Sequence, residues 1–140
     1  MATTLTWTNW IVAASNIVGL VPMAVAPSVP TFCLAGAAVL GSVLMHLGET
    51  KHGLPGVHPF NRYAGALLWA DRATALASTA FVGYRILYGG MPIPWPEAII
   101  GLGSLALSEH VDGGPLWFAA THSLWHVFAY DILARALVSQ

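Results

Sequence analysis

Two histidines, His122 and His126, stand four residues apart about a third of the way into an apolar run from Pro115 to Val138. On an α-helix that spacing puts both on one face, one turn apart, with Cβ atoms about 5–6 Å from each other. Both imidazoles can then reach a single metal ion. An ionisable group in a membrane-length segment is costly, and by default it marks a functional site. Partners for the pair are present elsewhere in the chain. His46 lies near the end of the second apolar run, with Ser42 one turn before it. Asp71 interrupts the third. Three neutral imidazoles leave the fourth position of a tetrahedral zinc open, and zinc lowers the pKa of a bound water to about 7. A carboxylate such as Asp71 can hold that water and take its proton. The Ser42 hydroxyl can orient the water or donate to a developing oxyanion. Haem suits the spacing less well, because axial ligands lie on opposite faces of the ring. A His46–His122 haem pair would satisfy that rule but leave His126 and Asp71 without a role.

The elements that must position these residues follow from composition and patterning. Of 140 residues, 56% are hydrophobic and 8% charged, against about 25% charged in a soluble domain. The expectation is therefore a single all-α, polytopic transmembrane bundle over residues 1–140, a multi-pass integral membrane protein. The formal net charge of −1 and the lack of a basic run argue against a nucleic-acid partner. Cys33 is the only cysteine, which excludes an internal disulfide and any multi-cysteine metal site.

Five helices are expected, at about 5–26, 31–48, 63–88, 94–108 and 115–138. The first resembles a signal peptide at Ala24-Val25-Ala26, but without a basic start and with Pro27 after the cut it reads as a retained span. Pro27 and Pro30 then break the chain into a tight turn. Gly36, Ala37, Ala38 and Gly41 suit close packing of the second helix. The fourth run, entered through Met91-Pro-Ile-Pro-Trp-Pro, is the weakest and reads as tilted, thin or partly re-entrant. Antiparallel threading puts His46, Asp71, His122 and His126 in the same half of the bilayer, from three different helices.

With that order in place, Ser42-Val-Leu-Met-His46, Asp71 in the next helix and His122-Ser-Leu-Trp-His126 in the last resemble the CREST superfamily of membrane hydrolases. That group includes alkaline ceramidases, progestin and adipoQ receptors and proteins that remodel GPI anchors. The phrase Thr121-His-Ser-Leu-Trp-His-Val-Phe-Ala129 is most similar to the ceramidase and remodelling branches. The resemblance implies Zn2+ held by His46, His122 and His126, water handled by Asp71, and Ser42 as the serine of an S-x-x-x-H element. It implies cleavage of an amide or ester bond in a membrane lipid, with the zinc-bound water as nucleophile. The family bundle has seven helices, and this chain offers five. Losing two between the third and the last preserves the direction of the last helix but removes cavity walls, which a second copy in a homo-oligomer could replace. The gap from His46 to Asp71 is also longer than in typical ceramidases.

Other readings attach to the same residues. Ser42 could be a small residue at a helix contact, Asp71 an ion-pair partner of Arg72 or Arg62, and His46 a histidine at the membrane edge. Glu49 shares the face of Ser42 and His46 but reads as a solvated helix end. His52, His58 and His110 read as solvated loop residues, and Asp131 with Arg135 as a local i,i+4 pair. Trp69 and Trp125 are expected deeper than the other tryptophans, lining the cavity. A receptor or scaffold with a structural metal, and a haem- or metal-handling membrane protein, are the alternative functions.

Overall fold

The computed structural model describes residues 6–139, and all of its regular structure is helical. The first rod is α1 (Thr6–Ser15), a 3-10 turn (Asn16–Gly19) and α2 (Leu20–Ala24). The tightened turn has a local cause. Pro22 has no N–H for the Val18 carbonyl, and its ring crowds that carbonyl. Then come α3 (Val29–Gly48), a loop and a 3-10 turn (Phe60–Tyr63), α4 (Ala64–Tyr88), α5 (Trp95–His110) and α6 (Gly114–Val138). The start of α3 is a capping box: the Ser28 hydroxyl accepts from the Thr31 N–H while the Thr31 hydroxyl accepts from the Ser28 N–H.

Side-chain contacts give the directions. Asn9 meets His46 and Glu49, so α1 runs against α3. Ser15 meets His126 and Asn16 meets Tyr130, so α1 runs with α6. Glu97 pairs with Arg135 and Ser108 with His122, so α5 runs against α6. At Gly41 and Gly48 a Cβ would meet Asp71 and Thr74, and Leu67 and Phe60, which sets α4 antiparallel and close against α3. The ends of α3 and α5 therefore share one end of the bundle with the starts of α1, α4 and α6, as antiparallel threading requires.

The central element is α6. Phe118, His122, His126 and Tyr130 form a buried stripe at i,i+4 spacing, continued by Leu133 and Leu137. One apolar cluster gathers Ala35, Ala38, Tyr130, Leu133 and Leu137, and another gathers Val12, Leu54, Phe118 and Ala119. The histidines lie on α6 between them. By contrast α4 is peripheral, without one buried residue, and packs mainly on α3.

Among the described residues, α3 is the one helix both long and apolar enough to cross a membrane. At 25 residues each, α4 and α6 have the length but not the apolarity. The 16-residue α5 is about 24 Å long, short of a hydrocarbon core of about 30 Å. The weak fourth run is thus a short helix.

Candidate metal centre

The fold brings His46 of α3 together with His122 and His126 of α6, and all three are buried. Ring centroids are 4.7 Å apart for His46–His122, and 5.0 Å for both His46–His126 and His122–His126, each pair edge-on. One ligand nitrogen from each ring lies within 4.8 Å of the others.

Each ring is held through Nδ1 by a different element. His126 Nδ1 lies 2.7 Å from Ser15 Oγ of α1, His122 Nδ1 lies 3.1 Å from Ser108 Oγ of α5, and His46 Nδ1 lies 2.9 Å from Glu49 Oε2. These contacts decide the tautomers. Ser15 gives its proton to the Val12 carbonyl at 2.6 Å, and Ser108 gives its own to the Leu105 carbonyl at 2.7 Å. Toward the imidazoles both hydroxyls can only accept, as does an ionised carboxylate. For His122 and His126 the proton therefore sits on Nδ1 and Nε2 is left bare, and His46 takes the same tautomer when Glu49 is ionised. Metal-ligating histidines are characteristically oriented in this way.

The consequence is visible between α3 and α6. Nε2 of His46 and Nε2 of His126 are 3.3 Å apart, and with Glu49 ionised there is no proton between them. Two facing lone pairs repel unless a cation stands between them. A tetrahedral zinc with Zn–N bonds of about 2.0–2.1 Å sets its nitrogens about 3.3–3.4 Å apart. The donor set fits such an ion.

Ser42 belongs to the site: its Oγ lies 3.2 Å from His126 Nε2, and it is buried. Asp71 lines the same cavity as Ser42, His122, His126 and Tyr130. It forms no ion pair with Arg72 or Arg62 among the described residues, and Arg72 turns instead toward Trp69, 5.9 Å from its ring. The cavity holds about 710 Å³. Its walls are largely apolar, including Val82 and Ile86 of α4, Leu102 and Leu105 of α5, and Leu133 of α6.

Several residues behave otherwise than the sequence suggests. Glu49 is not a solvated helix end: it is 9% exposed and bonded to His46. Burial pushes its carboxyl up to about 7, opposed by His52 and Lys51. His52 is only partly solvated, stacked on Phe118 at 4.3 Å, whereas His58 and His110 are exposed. Trp125 lines the cavity, but Trp69 is 70% exposed and faces outward. Asp131 does pair with Arg135, which also binds Glu97 across to α5.

Sequence reasoning missed the contribution of α1. Asn9 donates from its amide to the carbonyls of His46 and Glu49, and Asn16 accepts from the Tyr130 hydroxyl. A signal existed: Asn9 and Asn16 are seven apart, hence on one face of an apolar helix. Ser15 and Ser108 carried none, because a serine in an apolar helix is usually a packing residue. No family model matches this chain, and no curated protein or solved structure is significantly similar to it.

Proposed function

We propose that the protein is a polytopic membrane enzyme that hydrolyses an amide or ester bond of a lipid, with zinc held by His46, His122 and His126. The observation that carries this is the gathering of three buried imidazoles, two of which, His122 and His126, line a largely apolar cavity that Ser42 and Asp71 line as well. When bound, zinc supplies Lewis acidity toward a carbonyl and brings the pKa of water toward 7.

The remaining roles fall to the chain's own side chains. Asp71 is the base that takes the proton from water and returns it to the leaving group. Ser42 donates from its hydroxyl to the oxyanion that develops at the carbonyl. Glu49, Ser15 and Ser108 orient the rings toward the ion. The apolar walls hold a hydrocarbon chain.

The membrane reading is supported by an inverted surface. Asn9, Asn16, Ser42 and Ser108 are inside, while Ile17, Val29, Leu76, Leu87 and Ile99 are each more than 60% exposed. Water would penalise so much exposed apolar surface, and lipid does not. The order of motifs shared with the CREST superfamily supports the reaction type. A cavity open to substrate favours catalysis over a closed structural metal, and three rings gathered around one point leave no plane for a porphyrin. The test is turnover of ceramides and phospholipids by protein reconstituted in nanodiscs, with and without chelator. Chelator-sensitive release of fatty acid is expected. Full zinc with no turnover of either class would leave a receptor or scaffold.

A further inference from the structure

At the mouth of the bundle a second, smaller cavity of about 500 Å³ is lined by His52, Gly53, Glu109, His110, Val111, Asp112, Gly114 and Pro115. It is a vestibule to the first, because Glu109 and His110 line both. None of its lining residues is a lysine or arginine, while Glu109 and Asp112 give it negative charge.

One side chain in it is fixed in place but makes no hydrogen bond through its Nε2. His52 lies flat on Phe118, with an interplanar angle of 9°, and Phe118 is itself 1% exposed. The backbone is committed to that placement: His52 has φ of 56°, in the left-handed region, followed by Gly53 at 76°. A histidine held in this way still leaves its Nε2 buried and without a hydrogen bond among the described residues. Opposite stands Glu109, with Oε2 3.8 Å from His52 Nε2 and Oε1 3.9 Å from His122 Nδ1. Both gaps are too long for hydrogen bonds. An imidazole nitrogen and a carboxylate oxygen sharing a tetrahedral zinc stand about 3.4 Å apart, so closing the first gap takes only a small rotation of the half-exposed Glu109.

We propose that His52 Nε2 and the Glu109 carboxylate form a second divalent-cation site in this vestibule, distinct from the histidine triad. The chemistry is one nitrogen and one or two carboxylate oxygens, with Asp112 or His110 available from the same wall and water completing the shell. Fewer protein ligands make it the weaker of the two sites. Its existence does not depend on whether the triad performs hydrolysis.

The test is a calorimetric titration of the full, metal-stripped chain in detergent with zinc chloride. Wild type is expected to take up two zinc ions in two resolved phases. Glu109→Gln keeps the size of the side chain and should lose the weaker phase, its affinity falling about tenfold or more, with the tight phase intact. His52→Ala should do the same; the retained tight phase reports that each variant is folded. His122→Ala should lose the tight phase and keep the weaker one. A single phase in wild type, or a second phase that survives Glu109→Gln but disappears in His58→Ala, would overturn the proposal.

Discussion

Nε2 of His46 and Nε2 of His126 lie 3.3 Å apart although the residues are eighty positions apart in sequence. With Glu49 ionised neither nitrogen carries a proton, since Glu49 and Ser15 hold the protons on the opposite nitrogens. This relationship makes the metal-free centre electrostatically unfavourable and ready for a cation.

Metal content is the direct consequence. About one tightly held zinc per chain is expected, and His46→Ala, His122→Ala and His126→Ala should each lose it, because two protein ligands do not hold a structural ion tightly. The sign of the pH dependence follows from proton competition. Imidazole ligates only when neutral, so affinity should fall as pH drops and rise toward a plateau as pH rises. Metal analysis of dialysed protein across pH checks both. Full occupancy in the His122→Ala, His126→Ala double variant would remove the centre from consideration.

The groups that hold Nδ1 should matter in proportion to their chemistry. Ser15→Ala, Ser108→Ala and Glu49→Ala each free one ring to rotate, and zinc affinity should drop about 10–100-fold in each. Glu49→Gln should drop it less, because the amide oxygen still accepts the Nδ1 proton. Competition with a chromogenic chelator measures the series. Equal affinity across all four would mean that the rings are fixed by packing alone.

Asp71 separates catalyst from structural site. As a proton acceptor it should be essential: Asp71→Asn is expected to keep zinc and melting temperature while lipid turnover falls about 10²–10⁴-fold. Ser42→Ala should cost about 10²-fold if its hydroxyl donates to the oxyanion. Zinc content, melting temperature and turnover are to be read on one sample. Normal zinc with normal turnover in Asp71→Asn would end the hydrolytic mechanism.

The threading predicts topology. Under the proposed membrane reading, with α1, α4 and α6 running one way and α3 and α5 the other, the start of α1 and the end of α6 belong on opposite sides of the bilayer. Cysteines introduced singly near each end of a Cys33→Ser background should react with an impermeant maleimide from opposite faces of sealed vesicles. Labelling of both from one face would show that α5 does not cross.

The helical class and the triad were legible in the residues alone. Spacing within one helix is a local property: His122 and His126 share a face whatever surrounds them, and apolar runs between prolines define the rods. Depth along antiparallel rods could even bring His46 to the same level, because rise per residue is constant. What surrounds the rings was not legible. Glu49 follows α3 and looks like an end exposed to water; only the approach of α1, with Asn9 capping the carbonyls of His46 and Glu49, folds that carboxylate inward. Ser15 and Ser108 take meaning only because α1 and α5 reach α6 from different sides. His52 was indistinguishable from its loop neighbour His58 until the chain turned it onto Phe118. Periodicity encodes which face a residue occupies, but the identity of the facing helix depends on packing between segments far apart in sequence. Tertiary structure therefore decided the protonation pattern, the cavity and the vestibule.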